Sequence, residues 1–147
     1  MTSRVHEVRL PYADGGEPES RFLALDDVIH LHQLLIERFG GDPGILSPAA
    51  LDAAVAQPRM TAFGQLIHPG LIDQAGAYLF HLVAGHPFCD GNKRIGLFAA
   101  QVFLRDNGAQ ILGCSDDWYE LTMAVARGEL TKRKLTTRLQ SLVSRPA

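Results

Sequence analysis

Cysteine is scarce in this chain. Of its 147 residues only Cys89 and Cys114 carry a thiol, and neither stands in a C-x-x-C or C-x-x-H spacing. Two isolated cysteines offer no disulfide or zinc framework and fit a reducing compartment, most simply the cytoplasm. An excess of positive charge is also lacking. Fourteen Lys and Arg against sixteen Asp and Glu leave a formal net charge of −2, which argues against broad, direct nucleic-acid binding. Long apolar runs are missing: none approaches the ~18 residues of a membrane span, and no secretory leader is evident at the start. Neither secretion nor membrane insertion is expected.

What is present is ordinary for a globular domain: 46% hydrophobic and 20% charged residues. A chain of this size forms one domain and buries roughly 70% of its unfolded surface. Residues 1–21 stand apart as an N-terminal extension. Ala13-Asp14-Gly15-Gly16-Glu17-Pro18-Glu19-Ser20 is polar and rich in turn formers. This segment reads either as mobile or as a short hairpin returning residues 4–10 onto residues 22–25. Residues 22–147 form the domain.

From Asp26, a natural N-cap, the signals are helical. Val28, Leu31, Leu34, Leu35 and Phe39 recur at close to 3.6 residues, and Gly40-Gly41 stops the element. Ser47-Pro48 opens a second helix, with Leu51, Ala54 and Val55 inward, that ends before Pro58. Residues 60–70 form a loop or short hairpin. A third helix spans residues 71–84, with Ala75, Leu79, Leu82 and Val83 on one face. Residues 92–106 then carry Ile95, Leu97, Phe98, Ala99, Val102, Phe103 and Leu104 with almost no polar face, so this helix, about 22 Å long, is expected to be buried all round. Asn107-Gly108 closes it. Asp117-x-x-Glu120 resembles a capping box, although Ser115 or Asp116 serves equally well. A last helix behind Thr131 carries Leu135, Leu139 and Leu142. The fold class is all-α, a compact helical bundle around a buried central helix.

The densest chemistry lies between the third and fourth helices, in His86-Pro87-Phe88-Cys89-Asp90-Gly91-Asn92-Lys93-Arg94. Gly91 lets the backbone approach a ligand with no Cβ in the way. The free N–H groups at the following helix start suit a phosphate, and Lys93 and Arg94 add full charges there. Positive side chains at the positive end of a helix dipole are unfavourable unless they serve an anion. Asp90 either holds Mg²⁺ beside phosphate oxygens or caps the helix. His86 is the natural general base for a hydroxyl, although a lone histidine is more often a core or capping residue. Asn92 serves as an N-cap or offers its amide to a phosphate. Phe88 anchors the loop on the core, and Cys89 is a spacer. Together these groups outline phosphate transfer from a nucleotide. The loop is not a Walker P-loop, because five residues separate Gly85 from Gly91 and Asn92 precedes Lys93.

This stretch closely resembles the Fic/Doc signature H-x-F-x-[D/E]-x-N-[G/K]-R. Gly40-Gly41-Asp42-Pro43-Gly44-Ile45-Leu46 and Gln57-Pro58-Arg59 resemble the upstream segment of death-on-curing (Doc) toxins, and Phe103-Leu104-Arg105-Asp106-Asn107-Gly108 the end of their central helix. The resemblance covers about residues 22–140 and implies the Fic/Doc fold with His86 as base, Asp90 on Mg²⁺, and Gly91, Asn92, Lys93 and Arg94 on the phosphates of ATP. AMP-transferring members have a second glycine where this chain has Lys93, and a second arginine where it has Leu97. Both departures resemble Doc, which is understood to bind ATP in reverse and to transfer the γ-phosphate. The resemblance then implies phosphorylation of a Ser or Thr on elongation factor Tu, arrest of translation, and restraint in trans by a Phd-like antitoxin. An internal inhibitory helix of pattern [S/T]-x-x-x-E-[G/N] has its nearest match at Ser3 to Glu7, where Val8 breaks it. Residues 60–70 occupy the position of the family's target-aligning flap.

Three alternatives differ in kind: AMP transfer to a protein hydroxyl, a catalytically silent binding module and, more distantly, a ribonuclease. Elsewhere, His30 and His32 lie two apart on a helix and make a poor metal pair. His68 and His81 show no partner. Lys132, Arg133, Lys134 and Arg138 read as a solvated helix face.

Overall fold

A computed structural model describes residues 20–145 of the chain. Among them are six α-helices and two minimal two-stranded sheets, so the all-α expectation is borne out. The extension at residues 1–19, with its hairpin alternative and the Ser3 to Glu7 segment, lies outside the described residues.

The first helix, α1 (Leu25–Phe39), starts two residues earlier than an N-cap at Asp26 implies. Asp26 is not its cap. Ala24 is, and the Asp27 carboxylate accepts the Ala24 N–H at 2.8 Å. The carboxylate of the third helical residue thus satisfies the cap residue's own N–H, the half of a capping box that needs no polar cap side chain. Gly40, at φ 88°, ends the helix. The second helix, α2 (Pro48–Ala56), opens as expected, with Ser47 Oγ accepting the Ala50 N–H at 3.1 Å and Leu51, Ala54 and Val55 buried. A 3₁₀ turn (Gln57–Arg59) leads into a hairpin of β1 (Thr61–Ala62) and β2 (Gln65–Leu66), which resolves the loop-or-hairpin alternative in favour of the hairpin.

Helices α3 (Leu71–Ala84) and α4 (Asn92–Asp106) have the bounds read from the sequence, and they make the most extensive contact in the fold. Gly96 explains how close they come. A Cβ there would fall 2.5 Å from Val83 Cγ2 and 3.2 Å from the Leu79 carbonyl. The more enclosed of the pair is α3, on which Ile72, Ala75, Tyr78, Leu79, Leu82 and Val83 are all buried. The expectation that α4 is buried all round needs correction. Ile95, Ala99, Phe103 and Leu104 are buried, but Leu97, Phe98 and Val102 are only half-buried. The apolar side of α4 turned from the core has another use, described below.

After β3 (Gln110–Ile111), helix α5 (Ser115–Ala126) is capped by Cys114, whose N–H donates to Asp117 Oδ2 at 3.0 Å. Asp117 is therefore the third helical residue and not the cap, and Glu120 takes no part. Helix α6 (Lys132–Leu139) has Thr131 as cap. It buries Leu135 and Leu139, while Leu142 lies past its end on the approach to β4 (Val143–Ser144), which pairs with β3. Lys132 is not solvated as the rest of its face is: its Nζ donates to His81 Nε2 on α3 at 2.8 Å. Among the described residues no helix is long and apolar enough to cross a membrane.

Candidate active site

The loop between α3 and α4 is held from several directions. On one side it is stitched to the chain leading into α2. The Leu46 and Ser47 N–H groups donate to the Pro87 carbonyl at 2.8 and 3.0 Å, Cys89 N–H donates to the Gly44 carbonyl at 2.9 Å, and Ile45 bridges to Phe88. These contacts explain why Gly40 to Leu46 accompanies the motif. Phe88 is fully buried, its ring stacked on His32 of α1 with centroids 3.6 Å apart. It sits where an anchor for the loop is expected.

Asn92 corrects the sequence reading. It is not the N-cap, and its side chain turns inward onto the loop. Its Oδ1 accepts the Phe88 N–H and its Nδ2 donates to the Phe88 carbonyl, both at 2.9 Å, and the side chain is buried. Both its oxygen and its nitrogen take part in closing the loop, and its main-chain N–H stands at the helix start. The N-cap is Gly91, at φ 78° and ψ 17°. A Cβ on Gly91 would meet His32 and Ile36 at an ordinary 3.5 Å. The left-handed backbone by itself calls for glycine here.

Asp90 does not cap α4 either. Its Oδ2 accepts the Asp42 N–H at 2.8 Å, and its main-chain carbonyl lies 2.8 Å from His32 Nε2. The residue is exposed. His86, also exposed, is held at φ 50°, in the left-handed region that non-glycine residues seldom adopt. Lys93 and Arg94 are exposed in the first turn of α4, and the Arg94 guanidinium lies over the Phe39 ring, 4.3 Å from its centroid.

His86, Asp90, Gly91, Asn92, Lys93 and Arg94 all line one cleft of about 980 Å³. The cleft continues along the half-buried face of α4, past Leu97, Phe98 and Gln101, to Trp118, Tyr119, Thr122 and Met123 of α5. One end is therefore cationic, with unpaired helix N–H groups, and the other is largely apolar and aromatic. A volume near 1,000 Å³ with that division of chemistry suits a ligand of nucleotide size. The apolar excess of α4 supplies part of the cleft wall, which is why the helix looks too hydrophobic for a surface element.

Sequence reading missed several contributors. His32 sits four residues after Val28 and three before Leu35, on the buried side of α1, so helical spacing was a usable signal for it. Phe39 and Asp42 left no comparable trace, because their partners Arg94 and Asp90 lie far along the chain. Away from the cleft, His68 Nδ1 pairs with the Gln57 carbonyl at 3.1 Å. Burial first, then the charge of Lys132, lowers the pKa of His68; the same causes, with His68 itself, push His81 down to about 4. Burial likewise lowers Lys132.

Residues 22–104 match the Fic/DOC family. The chain is 32% identical to "Protein kinase doc" of Escherichia phage P1 over 122 residues, 83% of this chain and 95% of that protein. It is 44% identical to "Toxin Doc" of Mycolicibacterium smegmatis over 73 residues, half of this chain and 56% of that one. With the signature loop folded into one cleft and the match spanning most of the helical domain, the chain belongs to the Fic/DOC family.

Proposed function

We propose that the protein is the toxin of a toxin–antitoxin pair and transfers the γ-phosphate of ATP to a Ser or Thr hydroxyl of a protein, elongation factor Tu being the first target to test. The observation that carries this reading is the meeting, in one cleft, of an exposed histidine, an exposed carboxylate and a cationic helix start. The names of the two relatives, a protein kinase and a toxin, support it.

Each residue has a role in such a transfer. The N–H groups at the start of α4 with Lys93 and Arg94 bind phosphate oxygens, and Phe39 fixes the plane of the Arg94 guanidinium. His86 takes the proton of the attacking hydroxyl. The hydroxyl oxygen then bonds to the γ-phosphorus as the bond to the β–γ bridging oxygen breaks, giving a phosphoprotein and ADP. The donor set fits Mg²⁺. Among the described residues no group of three His, Cys, Asp or Glu is gathered, and a magnesium site needs only one or two carboxylates beside phosphate and water oxygens. Asp90 would hold the ion, which when bound neutralises charge on the β- and γ-phosphates. Leu97 stands where AMP-transferring members place an arginine, and Lys93 adds bulk and charge at the other departure; both favour γ-phosphate transfer.

The remaining parts follow from the same kinship. Residues 22–147 would act as one Fic/Doc domain in the cytoplasm, restrained in trans by a Phd-like antitoxin. Incubation of a target with ATP labelled at either the γ- or the α-phosphorus tests the reaction. Label transferred from the γ position alone supports phosphorylation, and label from the α position establishes AMP transfer instead. Toxicity that survives His86→Ala would point to a silent binding module.

A further inference from the structure

His32 is a polar ring where the fold offers an apolar place. It is fully enclosed on the inner side of α1, between Val28 and Leu35. It lies flat on Phe88, with the ring planes 10° apart. Nε2 stands 2.8 Å from the Asp90 carbonyl, and because a carbonyl oxygen only accepts, Nε2 carries the hydrogen. Nδ1 is then left facing the interior. It is the one buried side-chain nitrogen or oxygen among the described residues with no hydrogen-bond partner. An unpaired buried polar atom is unfavourable. What the ring gains in exchange is a single polar contact, and that contact goes to the main chain of Asp90.

Asp90 is thereby gripped at two points. His32 holds its carbonyl from the core side, and the Asp42 N–H holds Oδ2 from the rim. The next residue, Gly91, turns into the left-handed region and its carbonyl accepts the Ile95 N–H at 2.9 Å, so Asp90 sits directly before the first turn of α4. We propose that His32 is a positioning residue: by donating to the Asp90 carbonyl it fixes the place at which the Asp90 carboxylate meets a divalent cation carried in with a nucleoside triphosphate. This rests on Asp90 as the metal ligand of the proposed function. His32 itself is buried beneath the loop and meets neither nucleotide nor target. Groups that orient a metal ligand from behind typically contribute roughly 10–100-fold to metal affinity.

Two substitutions separate the donated hydrogen bond from the ring. His32→Phe keeps a stacking ring and removes the donor, and His32→Gln keeps an N–H of similar reach and removes the ring. Two measurements on the full chain read the result: amide hydrogen exchange at residues 89–91 in the free protein, and Mn²⁺ affinity by electron paramagnetic resonance with ATP present. His32→Phe is expected to speed exchange in the loop and weaken Mn²⁺ binding roughly 10–100-fold, with its thermal midpoint held or raised. His32→Gln is expected to keep the affinity while its midpoint falls. Unchanged exchange and unchanged affinity in His32→Phe overturn the proposal. If His32→Phe does not fold, a loss of affinity in His32→Gln overturns it, because ring packing would then be what the site uses. A wild-type chain that binds no Mn²⁺ with ATP overturns the metal reading of Asp90 and this proposal with it. Failure of His32 alone leaves wild-type binding intact, so the two failures are distinguishable.

Discussion

Asn92 holds both ends of the Phe88 main chain, its Oδ1 accepting the N–H and its Nδ2 donating to the carbonyl, each at 2.9 Å. One side chain thus closes the loop that carries His86 and Asp90 against the helix that carries Lys93 and Arg94. Asn92→Ala leaves two main-chain groups of a fully buried residue unpaired, at about 1–3 kcal/mol for each. Chemical denaturation is expected to show that loss, with nucleotide affinity falling as the loop loosens. A variant as stable as wild type would show that the pair contributes little.

His86 is expected to show a split between activity and stability. Removing a general base lowers transfer by roughly 10²–10⁴-fold, so His86→Ala and His86→Gly should both be nearly inactive. The backbone at φ 50° distinguishes them, because only glycine adopts it without the left-handed penalty of about 1–2 kcal/mol. His86→Gly should therefore unfold at a higher midpoint than His86→Ala. Equal midpoints would mean that the loop relaxes when the imidazole is removed.

The interior of the α3–α4 contact should be intolerant of one methyl group. Gly96→Ala places a Cβ 2.5 Å from Val83 Cγ2, and overpacking of this kind costs typically about 1–3 kcal/mol. A Gly96→Ala protein with an unchanged thermal midpoint would show that the helices can separate at no cost.

Acid sensitivity should trace to His81. Its folded pKa, about 4, lies below the ordinary 6.5. Between those values the unfolded chain binds a proton that the folded chain refuses. The contribution is therefore complete above pH 6.5 and is lost progressively as pH falls toward 4. His68 shifts in the same direction and adds to the trend. Lys132, whose charge faces both rings, opposes their protonation, while Asp73 favours that of His68. His81→Gln, whose carboxamide oxygen can still accept from Lys132, should show a smaller drop in thermal midpoint between pH 7 and pH 5 than wild type. An equal drop would place the sensitivity elsewhere.

The elements that sequence reading located well are those encoded locally. The bounds of α3 and α4, the Ser47-Pro48 start and the Gly40 stop all follow from periodicity and cap chemistry within a few residues. Asp26 and Asp117 were misassigned because two neighbouring carboxylates satisfy the same local rule, and only the backbone register decides between them. The loop was legible as a site because its residue types are improbable together. What each side chain does there was not, since Asn92 could reach outward or inward on the same spacing. The partners of Asp90 lie 48 residues away at Asp42 and 58 at His32, and the His81–Lys132 contact spans 51. Such contacts are set by helix packing, which no local pattern records.

The most direct test of γ-phosphate transfer is the intact mass of purified elongation factor Tu after incubation with this protein and Mg-ATP. The expected result is a gain of one phosphate, absent when His86→Ala replaces the wild-type chain. A gain of AMP, or a phosphate gain that persists without the imidazole of His86, would contradict the account.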